Sequence, residues 1–339
     1  MDAPASWSQS MKKTLLISSF CFLLVGGGLK PASAPVSAET PFIVAQRTQD
    51  STQTTPLGQT QVQLLTPGAE PRQELRFKPT VNAKQTLKMT LNMDIASSIS
   101  DKPIPNVKIP STMMTMEVGV TQVDANGDIH AKVSYTDADV VADSTVPPEV
   151  VNRMRSVVKK VVGLNGSFIF DSRGKIKSGS FVLPEGLDPL TKQLFEQVSN
   201  SLNQLSSPVP AEAVGKGAKW RASTALNLGG INLTQSAIYE LVNLQDNVAT
   251  LSVSLEQQAA SQELALPGLP PGITFTLKSL NSQGQGQMTM QLDEVMPSRF
   301  SMSMRSNNEM NVKEPSSGKE TTLKTNISMQ MGIESLSQK

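Results

Sequence analysis

Histidine and cysteine are almost missing from this sequence: His130 and Cys21 are the only ones among 339 residues. A Cys/His zinc site, a thiol protease and a haem-attachment motif each need more than that, so all three are excluded. Charge of one sign is also lacking. The 30 Lys+Arg nearly cancel the 29 Asp+Glu, and aromatic residues make up 4% of the chain. No broad basic surface exists to recruit nucleic acid by counterion release. There is no Gly-x-Ser-x-Gly elbow, and a lone histidine without a placed serine and carboxylate makes no triad. Gly215-Lys216-Gly217 precedes a strand pattern rather than a helix, which excludes a phosphate cradle. The chain therefore reads as a non-enzyme with no cofactor, no metal set and no catalytic residue. A hydrolase built on a Ser–Lys pair or on two carboxylates stays open as an alternative.

What is present begins with an export signal. Lys12 and Lys13 precede an uncharged run from Thr14 to Leu29, and Ala32-Ser33-Ala34 and Val36-Ser37-Ala38 follow. A basic start, a short apolar stretch and a small-x-small site make residues 1–38 a secretory signal peptide. Glycines at 26, 27 and 28 make the run a poor membrane span. Cleavage is expected after Ala38 rather than Ala34, because Pro35 would follow the earlier cut; Met1 and Met11 are both candidate starts. Cys21 follows Phe20 where a lipoprotein site needs a small residue, so no lipid anchor is expected. Loss of three lysines and one aspartate takes 30 against 29 to 27 against 28, a net charge of −1. The mature chain also has no cysteine, so core burial has to hold it together in an oxidising compartment. Residues 39–70 are rich in Gln and Thr, as in Thr48–Pro56, and read as a disordered tether. No integral membrane segment is expected after the signal, and the protein should reach the periplasm or the exterior.

The body, 71–335, reads as mainly β with some helix. From Thr86 to Ile95 apolar and polar residues alternate, the period-two signature of a half-buried strand about 33 Å long at ~3.3 Å per residue. Similar patterns predict strands around Met114–Val120, Ile129–Tyr135, Phe168–Phe170, Lys175–Val182, Lys219–Leu228, Gln235–Leu244, Ala249–Glu256, Thr274–Leu280, Gln285–Leu292, Phe300–Asn307 and Thr321–Ile333. Turn residues at Asp124–Asp128, Asp171–Gly174 and Asp246-Asn247 separate several of them. Two segments have helical spacing instead. One runs over 148–162 from Pro148-Glu149 to Gly163; the other, over 188–206, opens at Asp188-Pro189 and stops at Pro208. The expected architecture is a large curved antiparallel sheet or half-barrel packed on two amphipathic helices, as one body or as two lobes meeting near 207.

Methionine is the most unusual residue. Fourteen of the 16 remain once Met1 and Met11 leave with the signal. Met89 and Met93 share one face of a strand, and Met114/Met116, Met288/Met290, Met302/Met304 and Met329/Met331 are spaced by two, so each pair also shares a face. Three readings compete: ordinary core packing by flexible thioethers, an adaptable apolar pocket, and a Cu(I) site built from soft ligands. Copper is the weakest, since Met alone would have to hold the ion. Trp220 is the only mature tryptophan and reads as a core plug, with a place at a cavity mouth as the alternative. His130 falls on the polar side of its strand. Asp137, Asp139 and Asp143 alternate along one strand face and read as a solvated edge in preference to a cation site.

Gly166-Ser-Phe-Ile-Phe-Asp-Ser-Arg-Gly-Lys-Ile176, followed by a helix and by Pro210-Ala-Glu-Ala-Val-Gly-Lys-Gly-Ala-Lys-Trp220, resembles secreted bacterial proteins of unassigned function that share a Gly-rich hairpin and a Val-Gly-x-Gly-x-x-Trp turn. More distantly, the element order over 72–334 is similar to periplasmic half-barrels of the LolA and LppX/LprG type. That resemblance implies a bent sheet closing over helices around an apolar cavity for acyl chains. The expected function is an exported, non-enzymatic envelope protein whose apolar groove binds lipid or a lipidated partner, lined by Met89, Met93, Met114, Met116, Trp220, Met288, Met290, Met302, Met304, Met329 and Met331. An interaction module with a closed core and no small ligand is the main alternative, and a Met-rich Cu(I) binder the remote one.

Overall fold

A computed structural model describes residues 60–106, 108–141, 145–182, 208–228, 230–264, 273–313, 318 and 320–336. The expected signal peptide, most of the expected tether, and the helix expected over 188–206 lie outside these residues.

The described chain is mainly β. In order it forms β1 (Gln61–Thr66), β2 (Lys84–Ile99), β3 (Lys102–Pro103), β4 (Thr112–Val123), β5 (Ile129–Val140), α1 (Pro148–Val158), β6 (Asn165–Phe170) and β7 (Ile176–Val182). The second half contributes β8 (Lys219–Leu228), β9 (Ile231–Gln245), β10 (Val248–Ala259), β11 (Gln262–Leu264), β12 (Thr274–Gln291), β13 (Arg299–Lys313) and β14 (Glu320–Ser335). All belong to one 14-stranded sheet in the order β1-β8-β9-β10-β12-β13-β14-β2-β4-β5-β6-β7, with β3 on β2 and β11 on β12. Neighbouring strands are antiparallel throughout, for example β13 with β14 and β14 with β2. The sheet does not close on itself: β1 and β7 end the order and do not pair with each other.

Long strands follow from long period-two patterns. β2 extends the alternation read at 86–95 to 16 residues. β12 has 18, about 59 Å at ~3.3 Å per residue. Two separate strands, Thr274–Leu280 and Gln285–Leu292, were expected there, with a break over 281–284. The structure corrects this: Gln283 pairs with Glu256 on one side and Arg305 on the other, so the ladder runs straight through. A bulge between Leu277 and Ser279 absorbs the change of parity between Phe275/Leu277 and Leu280/Ser282. A strand also occurs within 39–70, where only a tether was expected. Val62 and Leu64 alternate with Gln61 and Gln63, and this short stretch becomes β1 by pairing along the edge of β8. The turns expected at Asp124–Asp128, Asp171–Gly174 and Asp246-Asn247 occur, while those expected over 268–272 and 316–317 lie outside the described residues. Asp246 and Asn247 take φ of 51° and 62°, the left-handed pair that a two-residue β9–β10 turn requires.

The expected pair of amphipathic helices is not borne out, since the described residues contain one α-helix of 11 residues. Pro148 and Glu149 open α1, Lys159–Val161 tightens to a 3-10 turn, and Gly163 leaves it at φ +87°. Its buried Val151 packs with Val140 and Val146, so α1 is a satellite on the end of β5. Val157 on its other side is 53% exposed.

Residues 67–83 act as a strap across one end of the sheet. Gly215 N donates to Pro67 O and Ala69 N to Lys216 O beside β8. Further along, Phe77 N donates to Ser172 O in the β6–β7 turn, Lys78 N to Leu292 O after β12, and Asn82 N to Val120 O in β4. Arg76 adds Nη2 to Ala211 O at 2.9 Å. The segment thus touches both arms of the sheet order, which at ~4.8 Å per strand would lie some 35 Å apart in a flat sheet. Leu75 and Phe77 from the strap, Val209 and Val214 from the segment before β8, Val120, Ile129 and Trp220 accordingly share one core cluster.

Two glycines make the strap crossing possible. A Cβ on Gly215 would lie 1.8 Å from Ala69 O, and one on Gly68 (φ +78°) 2.3 Å from Gly215 O. Gly215→Ala should therefore destabilise the protein by about 2 kcal/mol or more, because backbone has to move. Gly119→Ala in β4, with nothing within 4 Å of the added carbon, should change stability by less than ~0.5 kcal/mol. Urea unfolding midpoints of the two variants check this; equal effects would refute the close crossing.

Candidate functional site

The methionines of the spaced pairs are brought together by register rather than by sequence proximity. Three cross-strand rows run over the same face of β12, β13, β14, β2 and β4. Gly284, Met304, Met329 and Met93 form the first, and Gly286, Met302, Met331, Leu91 and Thr112 the second. Met288, Phe300, Ile333, Met89 and Met114 form the third. Directly opposed Cβ atoms in such rows lie about 4.5–5.5 Å apart, within reach of long thioether side chains. Met116 and Met290 continue the same face one step further along β4 and β12.

Burial divides the set. Met93, Met116, Met288, Met290 and Met302 are buried, whereas Met89, Met114, Met304, Met329 and Met331 are half-buried. Met288, Met290 and Met302 share the core cluster of Trp220. Trp220 is 1% exposed and stacks on Tyr239 with centroids 5.6 Å apart and planes 14° apart. Its position is that of the core plug. Its indole Nε1 has no hydrogen-bond acceptor in the structure, an uncompensated polar atom in an otherwise apolar cluster.

Gly284 and Gly286 belong to this surface and were not named as site residues from the sequence: Gly284 fell in the expected break between two strands and Gly286 in the second of them. A Cβ on Gly284 would meet Met302 Sδ at 3.0 Å, and one on Gly286 would meet Ser301 O at 2.1 Å. Gly284 lets the Met302 thioether lie over β12, and Gly286 lets the β13 backbone come close. The signal was available: positions 282, 284, 286, 288 and 290 keep the period of two.

The charged residues weighed in the sequence fall into two separate clusters. His130 Nε2 lies 2.8 Å from Asp124 Oδ2, and Lys177 Nζ donates to Asp128 Oδ2 at 2.6 Å, joining the β4–β5 turn to β7. The hydrogen bond to His130 holds the Asp124 carboxyl below its ordinary value of 3.8, and the Lys177 bond does the same for Asp128. Asp139, once weighed with Asp137 and Asp143 as a cation site, accepts from Arg155 Nε at 2.6 Å, which lowers its pKa. Asp143 lies outside the described residues. No cluster of three His, Cys, Asp or Glu side chains suited to a metal ion occurs among the described residues.

No protein-family model matches the chain, and comparison with curated proteins finds no relative. Among the described residues no helix is long and apolar enough to cross a membrane, a statement that does not extend to membrane β-barrels.

Two outcomes follow from this geometry. Met302→Ala should cost about 2–5 kcal/mol as a core truncation, whereas Met329→Ala, at a half-buried position, should cost under ~2 kcal/mol; denaturant unfolding compares them. The lowered carboxyls bind protons less readily folded than unfolded. Their contribution is complete above the ordinary carboxylate range and lost as pH falls through their folded values. Stability should accordingly drop between about pH 5 and about pH 2, and Asp128→Asn should flatten part of that acid limb in urea titrations.

Proposed function

We propose that this chain is an exported, non-enzymatic protein of the bacterial envelope whose apolar surface binds lipid or the acyl part of a lipidated partner. The observation that carries this reading is the methionine field. Three in-register rows place flexible, polarizable side chains on one face, and five of those methionines are only half-buried. Thioethers adapt to chains of varied shape, and such a surface suits ligands that differ in length and kinking. An open sheet whose two arms are strapped at one end supports reading the domain as a half-barrel. Burial of a 16-carbon chain would contribute ~13 kcal/mol gross at about 0.8 kcal/mol per methylene, before ordering costs. That is ample for a carrier. The basic, apolar and small-residue segments of 1–38 support export.

A second reading, an interaction module with a closed core, draws on the buried Trp220–Tyr239 stack and on Met288, Met290 and Met302, which fill a packed cluster. A Met-only Cu(I) site has no supporting ligand beyond the thioethers themselves.

Native mass spectrometry of the mature protein purified from a bacterial envelope, combined with titration of a fluorescent long-chain probe, separates these readings. Co-purifying lipid and saturable probe binding are expected. Absence of both would leave the closed-core module as the better description.

A further inference from the structure

The methionine field does not stand alone on its face. One step beyond it along the strands, uncharged polar side chains cross the sheet in register. Thr224, Gln235, Gln257, Ser282 and Ser306 are successive partners from β8 to β13. Asn308, Thr325 and Ser97 carry the stripe on to β2. These residues bond one another: Gln257 Nε2 donates to Gln235 Oε1 at 2.8 Å, Ser282 Oγ to Ser306 Oγ at 2.9 Å, and Ser306 Oγ to Asn308 Oδ1 at 3.0 Å. On the far side of the stripe lies a separate apolar cluster containing Leu226, Leu277, Met310 and Leu323. Ser282, Ser306 and Thr325 are buried, while Gln235, Gln257 and Asn308 are half-buried.

Charge is segregated from this face. On β2, β4, β8, β9, β10, β13 and β14 every Lys, Arg, Asp and Glu has the opposite parity to the methionines and the polar stripe, as Arg305 and Glu309 do beside Met304, Ser306 and Asn308; on β12 the one charged residue, Lys278, stands in the bulge between Leu277 and Ser279 and is exposed. Glu294, from the loop after β12, hydrogen-bonds Gln85 at the strap end of the same face, which adds negative rather than positive potential. An ionised carboxylate or phosphate on this surface would lose hydration without gaining a cation, a strongly unfavourable exchange. A hydroxyl, ester or amide, by contrast, finds donors and acceptors of its own kind in the amides and hydroxyls of the stripe.

Resting on the lipid-binding reading above, we infer that the ligand is an uncharged amphiphile, such as a long-chain alcohol or an acylglycerol, with its chain along the methionine rows and its polar group at the Gln257–Ser306–Asn308 stripe. From Ser306 to Phe300 the strand spans about 20 Å, comparable with an extended long acyl chain. Headgroup selection arises from the absence of a cation on this face among the described residues as much as from the hydrogen bonds present.

The test uses the mature protein and two probes that share one fluorophore and one chain length, a long-chain alcohol and the matching fatty acid, at a pH where the acid is ionised. The alcohol is expected to bind at least about tenfold more tightly. Asn308→Lys, and independently Gln257→Lys on a neighbouring strand, should narrow or reverse that preference by supplying a cation. Equal or tighter binding of the fatty acid to the unmodified protein would overturn the headgroup inference and leave the lipid-binding reading standing. A preference for the alcohol unchanged by both folded lysine variants would place the polar group elsewhere and overturn the stripe assignment. Binding of neither probe would defeat the lipid-binding reading itself, and the inference with it.

Discussion

Strict alternation along unusually long strands is the constraint on which everything else in this molecule depends. A side chain's environment is set by whether its position is odd or even on its strand, and a slip of one residue would exchange the two faces completely. With strands of 16 and 18 residues, many side chains on each face enforce the same register. Bulges preserve the rule where alternation breaks: the one at Leu277/Ser279 shifts parity in β12 so that both halves of the strand keep their apolar residues on one side.

That constraint explains how methionines spread across much of the sequence become one surface. Met302, Met331 and Leu91 are neighbours because β14 pairs with both β13 and β2. Glycine supplies the complement. At 284 the missing side chain gives the Met302 thioether room that a larger residue would occupy, and at 286 it lets the β13 backbone at Ser301 approach. Flexible side chains over a rigid, fully hydrogen-bonded backbone form a surface that is soft in its contacts and fixed in its outline.

The legible part of this structure was the part written locally. The alternation at Thr86–Ile95, the turn at Asp246-Asn247 and the helix beginning at Pro148 each follow from a few adjacent residues, and each is found. Segments whose structure is decided by a distant partner were harder. β1 holds only Val62 and Leu64 as its apolar signal and exists because β8 offers an edge. Gly284 and Gly286 carry turn chemistry, yet β10 and β13 on either side keep them extended. The spacing of the methionine pairs gave their face. Which pairs would meet depended on ladders joining residues more than two hundred positions apart, and no local pattern encodes that. The polar stripe was hidden for a related reason: Ser282, Gln257 and Asn308 look like surface residues until their partners are known.

The place of β14 in the strand order has a kinetic consequence. Everything from β2 to β7 lies on one side of it and β8 to β13 with β1 on the other, so this late segment is the keystone joining two sub-sheets. Until Glu320–Ser335 is available, β13 and β2 are both exposed edges rich in methionine, each able to template intermolecular pairing. Such high contact order favours slow folding. It also means that nicking just before Glu320 would not merely trim the protein; it would unzip the sheet along its central seam.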